Sequence, residues 1–127
     1  MKRRKALTPL GETEMEVLHH VWELGEATVA DVLEQILESR KVAYTTIMTV
    51  MRNLAGKGYL KFRKVGVSYV YSAAIQPDEV RYSLIDGLVD KVFHGSPESL
   101  VQTLVKSEKL TPEERENIRK MIDGMED

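Results

Sequence analysis

The stretch AYTTIMTVMRNL, residues 43–54, sets hydroxyl, guanidinium and amide groups at spacings that could do chemistry together. Thr45, Thr49 and Arg52 recur at i, i+4 and i+7, with Thr46 and Asn53 beside them, so a helix would carry them on its outer side. Threonine hydroxyls exchange hydrogen bonds with phosphates and base edges, their methyls meet thymine methyls, and an arginine fork reads guanine or clamps phosphate. As plain helix surface the row would be a poor choice, because threonine forms helix less readily than glutamate, lysine or alanine. A lysine at these sites would blur a base contact and a glutamate would repel it. The row therefore points to the groove of a duplex.

Other chemistries find little foothold. The chain has no cysteine, which excludes disulfides, thiolate metal sites and cysteine nucleophiles and fits a reducing compartment. His19 and His20 are neighbours, about one hundred degrees apart on a helix, and His94 is remote, so no metal site is expected. GKGYLK lacks the glycine spacing of a phosphate loop, and no serine stands at a catalytic spacing from lysine or histidine. The expectation is a non-enzyme with no catalytic residue and no cofactor. Tyr69 and Tyr71 could stack on bases, but packing against the third helix is expected of them. The six methionines mostly fall on helical stripes and read as core filler.

The net charge of -2 conceals an asymmetry. Up to Ala74 eleven basic residues face eight acids, and after it seven face twelve. Between Ser39 and Pro77 there is no aspartate or glutamate, yet Arg40, Lys41, Arg52, Lys57, Lys61, Arg63 and Lys64 lie there. A local positive field on a near-neutral chain suits a polyanion docking at one surface, though a solvated basic patch would look the same. The start, MKRRKALTPLGETE, leads into no apolar run of signal-peptide or membrane-span length, so a soluble cytoplasmic chain with no membrane partner is expected.

The elements that must position the threonine row follow from periodicity. Thr8-Pro9 reads as the cap of a first helix, with Met15, Val17, Leu18, Val21, Trp22 and Leu24 inward and Gly25 ending it. A second helix starts near Thr28, with Val29, Val32, Leu33, Ile36 and Leu37 inward. In the third, Ile47, Val50, Met51 and Leu54 form the stripe that faces a core. After GKG the period becomes two, with Leu60 and Phe62 alternating against Lys61 and Arg63, then Tyr69 and Tyr71 against Val70 and Ser72. A turn near Gly66 makes this a hairpin. Three helices and a hairpin compose a winged helix-turn-helix, whose third helix enters a major groove. Lys61, Arg63 and Lys64 are then placed to grip flanking phosphates, with the arm Lys2 to Lys5 adding another contact.

The remaining residues read as three more helices. Gln76-Pro77-Asp78 opens one that carries Val80, Leu84, Ile85, Leu88, Val89 and Val92 and closes at Gly95. Ser96-Pro97-Glu98 opens the next, with Leu100, Val101, Leu104 and Val105, and Thr111-Pro112-Glu113-Glu114 is a capping box ahead of Ile118, Met121, Ile122 and Met125. Some fifty residues with three apolar stripes bury little alone, so pairing with a second copy is expected, against the alternative that they fold back on the first part. The fold class is thus mainly α with a small β-hairpin. The domains are a winged helix-turn-helix over 1–75 and a helical dimerisation domain over 76–127, its contacts made by Leu84, Leu88, Leu100, Leu104, Ile118, Met121 and Ile122.

EMEVLHHVWELGEATVADVLEQI, AYTTIMTVMRNLAGKGYL and YVYSA closely resemble the penicillinase-repressor type of bacterial transcriptional regulator, and VFHGSPESLVQTLVKSEKLTPEE resembles its C-terminal domain. The likeness spans nearly the whole chain. It implies a homodimer that represses transcription from a two-fold operator, in some relatives at an antibiotic- or stress-response gene. Its recognition contacts carry over by position to Thr45, Thr46, Thr49 and Arg52, and its wing contacts to Arg63 and Lys64. It also implies release through a sensor-linked protease cutting an Asn-Phe bond in the helix resembling SLVQTLV, but Thr103-Leu104 stands there in this chain. The cysteine-rich tail of copper-responsive relatives is absent. A basic winged helix could instead dock an acidic protein, but that would favour aromatic or aliphatic anchors over threonines on the outer face.

Overall fold

The computed structural model describes residue 7 and residues 9–126, so the expected Thr8 cap and the arm Lys2 to Lys5 lie outside the described residues. The chain divides into two compact units, the first ending at Ser83 and the second beginning at Leu84. The end of the hairpin pattern and the helix start at Gln76-Pro77-Asp78 place the boundary at 75/76 in the sequence. Val80, only 1 % exposed, belongs to the core of the first unit, so that core extends past the hairpin.

The first unit holds α1 (Glu12–Leu24), β1 (Glu26–Ala27), α2 (Val29–Leu37), α3 (Tyr44–Gly56), β2 (Leu60–Val65) and β3 (Ser68–Ala73), followed by the start of α4 (Pro77–Val92). Helix α1 begins at Glu12, so Pro9 precedes the helix instead of opening it. The Gly11 amide donates to Glu14 Oε1 at 2.9 Å, and glycine has no side chain to complete a reciprocal cap. Gly25 ends the helix at φ +82°, donating its N–H to the Val21 carbonyl at 2.8 Å. Helix α2 starts with a full capping box. Thr28 Oγ1 accepts from the Asp31 amide at 3.1 Å, and the Asp31 carboxylate accepts from the Thr28 amide at 2.9 Å.

The GKG segment is the C-cap of α3. Gly58, at φ +88°, donates to the Ala55 carbonyl, and the Tyr59 amide reaches back to the Leu54 carbonyl at 2.9 Å. This is the Schellman pairing, and its accompanying apolar contact is supplied by Leu54 and Tyr59, both buried. The cap turns the chain directly into β2. A two-residue loop, Gly66-Val67, then joins β2 to β3, with Gly66 at φ +62°.

The hairpin gains a third strand that periodicity does not reveal. β1 pairs antiparallel with β3, Glu26 opposite Ser72 and Ala27 opposite Tyr71, giving the sheet order β1-β3-β2. The core joins Val17, Leu18 and Val21 of α1, Val32 and Ile36 of α2, and Ile47, Met51 and Leu54 of α3 to Leu60 and Tyr71 of the sheet. Trp22 donates its indole N–H to the Ile75 carbonyl at 3.0 Å, fixing the segment between β3 and α4. Leu24, Leu37 and Phe62, expected inward, are 40–55 % exposed. The first two are the final residues of short helices, where the apolar stripe runs off the packed region.

The second unit contains the rest of α4, then α5 (Pro97–Lys106) and α6 (Pro112–Asp123). Ser96 Oγ caps α5 by accepting from the Ser99 amide at 3.1 Å, and Thr111 with Glu114 forms the expected box at α6. Val89 is the one buried apolar side chain among the described residues of this unit. Leu84, Leu88, Leu104, Met121 and Ile122 are exposed, while Leu100 and Ile118 are half-buried. No helix among the described residues is long and apolar enough to cross a membrane.

Candidate nucleic-acid interface

Helix α3 has two chemically distinct sides. Ile47, Met51 and Leu54 are fully buried, whereas Thr45, Thr46, Thr49, Arg52 and Asn53 are all exposed. The buried stripe fixes the rotation of the helix, so the polar row has no alternative but solvent or a partner. Ala43 caps the helix without a side-chain bond, and no acid occupies its first turn. The positive end of the helix is therefore uncompensated, the electrostatic setting that favours phosphate.

The acid-free window of the sequence is not acid-free in space. Arg40 makes a two-pronged contact with Glu16 of α1, at 2.6 and 3.3 Å. Lys57 lies 2.8 Å from both carboxylate oxygens of Glu14 and also donates to the Pro9 carbonyl. Arg63 contacts Glu26 of β1 at 2.8 Å. Among the described residues no ion pair holds Lys41, Arg52, Lys61 or Lys64, so these four carry the uncommitted charge. Burial would raise the Glu14 carboxyl, but the Gly11 amide and the Lys57 ammonium outweigh it and hold it below its usual range. The Arg40 bond likewise lowers Glu16.

Strand register separates the three hairpin cations. Lys64 lies opposite Tyr69 and shares its sheet face with Phe62 and Tyr71, whereas Lys61 and Arg63 occupy the other face, opposite Ser72 and Val70. Lys61 and Arg63 line a cleft with Trp22, Glu26 and Gln76. The hairpin thus does not present Lys61, Arg63 and Lys64 as one row.

Aromatic side chains are the feature that residue spacing did not assign to this surface. Phe62 meets Tyr69 edge-to-face at 5.2 Å and Tyr71 at 5.6 Å. Tyr71 is buried, which pushes its phenol up despite the opposing charge of Arg52 nearby, so it remains a hydrogen-bond donor. Phe62 and Tyr69 stay exposed beside α3, and Val67 at the hairpin tip is 96 % exposed. The alternation of apolar residues along β2 and β3 marks the rings, but it cannot say that the packed layer ends before Phe62.

Among the described residues no three histidine, aspartate or glutamate side chains gather as a metal site.

Comparison with known proteins agrees with this geometry. The fold resembles the solution structure of the DNA-binding domain of the repressor BlaI, with a TM-score of 0.53 and 24 % identity over 60 % of this chain and 93 % of that one. A Bacillus licheniformis BlaI monomer, solved in complex with the blaP half-operator, gives 0.51 at the same identity and coverage. Transcriptional regulator BlaI of Mycobacterium tuberculosis is 30 % identical over 122 residues, 94 % of this chain and 87 % of its own length. The methicillin resistance regulatory protein MecI of Mammaliicoccus sciuri is 26 % identical over 113 residues, 89 % of this chain and 92 % of its own. With residues 10–124 matching the penicillinase repressor profile from the first helix to the last, the chain belongs to the penicillinase repressor family.

Proposed function

We propose that this chain is a homodimeric transcriptional repressor that binds a pseudo-palindromic operator through α3 and the hairpin. The observation that carries this reading is the outer side of α3, where five exposed groups able to contact bases or phosphates stand over a buried apolar stripe. Family membership supports the same reading. Thr45, Thr46 and Thr49 meet phosphates and base edges, Arg52 reads guanine or clamps phosphate, and Asn53 extends the row. Lys64 grips the flanking backbone on the α3 side of the sheet. Lys61 and Arg63 reach it only from the other face, and Arg63 must first exchange Glu26 for phosphate. That exchange is cheap, because an exposed pair of this kind contributes about 0–1 kcal/mol.

The second unit supplies the partner. Its exposed leucines and methionines are the face that a second copy would cover, and two linked recognition helices make the second half-site contact intramolecular. Helix α5 carries Thr103 and Leu104, so a protease coupled to a sensor and cutting between them would separate Leu104 and α6 from the rest of the chain. Cytoplasmic residence follows from action on DNA.

The test is a fluorescence titration of the full chain against the duplex upstream of its own gene, at two salt concentrations, with a scrambled duplex as control. Binding should prefer the native duplex and weaken steeply with salt. Full operator affinity in both Arg52→Ala and the Thr46→Ala, Thr49→Ala double variant, with the fold intact, would overturn the assignment of the reading face.

A further inference from the structure

Helix α3 turns another stripe toward the hairpin. Tyr44, Met48, Arg52 and Ala55 follow at i, i+4, i+8 and i+11, and with Phe62 and Tyr69 they line an open groove of about 710 Å³. That volume lies in the range of small-ligand sites. Its walls are aromatic: Tyr44, Phe62 and Tyr69 are each about half exposed, although nothing in the fold requires these rings to meet water. No carboxylate lines the groove, and its one charged side chain is Arg52, which no ion pair among the described residues neutralises.

We propose that this groove binds a small planar aromatic anion, its ring system against Phe62, Tyr69 and Met48 and its carboxylate on the Arg52 guanidinium. Each part of the ligand answers one property of the site. Flat apolar surface covers rings that are otherwise wet, a single negative group satisfies a single cation, and the fork of arginine matches a carboxylate in two-pronged fashion. A duplex strand is the less suitable occupant, because a sugar-phosphate edge calls for several cations where the groove offers Arg52 alone. Setting Ile47 at zero degrees, Arg52 falls at about 140°, between Met48 at about 100° and Thr45 at about 160°. It belongs to both the groove and the threonine row. A bound aromatic anion would therefore withdraw Arg52 from the duplex and act as an inducer, a consequence that rests on the repressor reading, whereas the binding itself does not.

The experiment titrates the full ¹⁵N-labelled chain with 2-naphthoate and, separately, with uncharged 2-naphthylmethanol, following amide shifts. The naphthoate should perturb residues of α3 and the hairpin around the groove, and the alcohol should bind about tenfold more weakly. Arg52→Ala should remove that preference, and Phe62→Ala should weaken both probes by about tenfold. Both side chains are exposed, and thermal melts establish that the variants fold. Shifts confined to residues beyond Leu84, no shifts at millimolar naphthoate, or Phe62→Ala binding like the parent would overturn the site. So would a Phe62→Ala variant that loses duplex affinity but keeps naphthoate, since the rings would then serve DNA. In a parallel titration, naphthoate should displace the upstream duplex from the parent chain, and an unmoved duplex would overturn the inducer role. A parent chain that binds no duplex removes the repressor reading and leaves the amide titration to decide the groove.

Discussion

The two units are built from the same local devices and end in different energetic states. Both begin helices with capping boxes, at Thr28 in one and Thr111 in the other, and both carry apolar stripes at helical spacing. In the first, the stripes of α1, α2 and α3 converge with the sheet until Val17, Val32, Ile47 and Met51 have no exposure at all. In the second, α5 and α6 contain no buried residue, and Met121 and Ile122 remain mostly exposed. Caps and periodicity establish that a helix exists, whereas burial requires an opposing surface that a short chain segment does not always contain.

Several changes would break or sharpen this contrast. Truncation after Ser83 should have the largest effect, leaving a folded monomer whose operator affinity has fallen by about 10²–10⁴, read by sedimentation and duplex titration. A truncated chain that still sediments as a dimer would dissolve the distinction between the units. Cutting instead after Ala74 adds a loss of stability in the first unit to the same loss of affinity, since it also removes Val80 and the Ile75 carbonyl that holds Trp22. Next, Ile47→Ala should cost about 2–5 kcal/mol of unfolding free energy, measured by denaturant, because it opens a void in a core with no exposure. The matching change in the second unit, Ile122→Ala, should leave the denaturation of an isolated protomer almost unchanged and weaken self-association instead.

Arg52→Ala should reduce operator affinity by about 1–3 kcal/mol without moving the melting temperature, in contrast to Ile47→Ala one face away. The smallest effect belongs to Glu14. Its carboxyl is lowered in the folded state, so its contribution is complete above its ordinary value of 4.5 and disappears as pH falls through the lowered one. Glu14→Gln should thus be less stable to denaturant than the parent near neutrality, by about 1 kcal/mol, and the two stability-against-pH curves should converge in acid. Parallel curves at every pH would remove Glu14 as a source of stability.

Much of this molecule is legible in the order of residues because its determinants are local. The stripe of α3, the Thr28 and Thr111 boxes, the Pro97 start and the glycine ends each depend on groups within one or two turns. What escapes is set by partners far along the chain. β1 is two residues long and exists because β3 offers Ser72 and Tyr71 to pair with it. The apparently free cations Arg40, Lys57 and Arg63 find acids 24, 43 and 37 positions away. The opposite faces of Lys61 and Lys64 follow from alternation in the strand, yet the role of each depends on which side α3 packs, and only the tertiary fold supplies that.

The indole of Trp22 gives the protein an optical probe of its own. It is the sole tryptophan of the chain, half-covered, and tethered to the backbone just ahead of α4. Its emission should move to longer wavelength whenever that tether opens, so a cuvette measurement without any label can report whether the segment joining β3 to α4 has come loose.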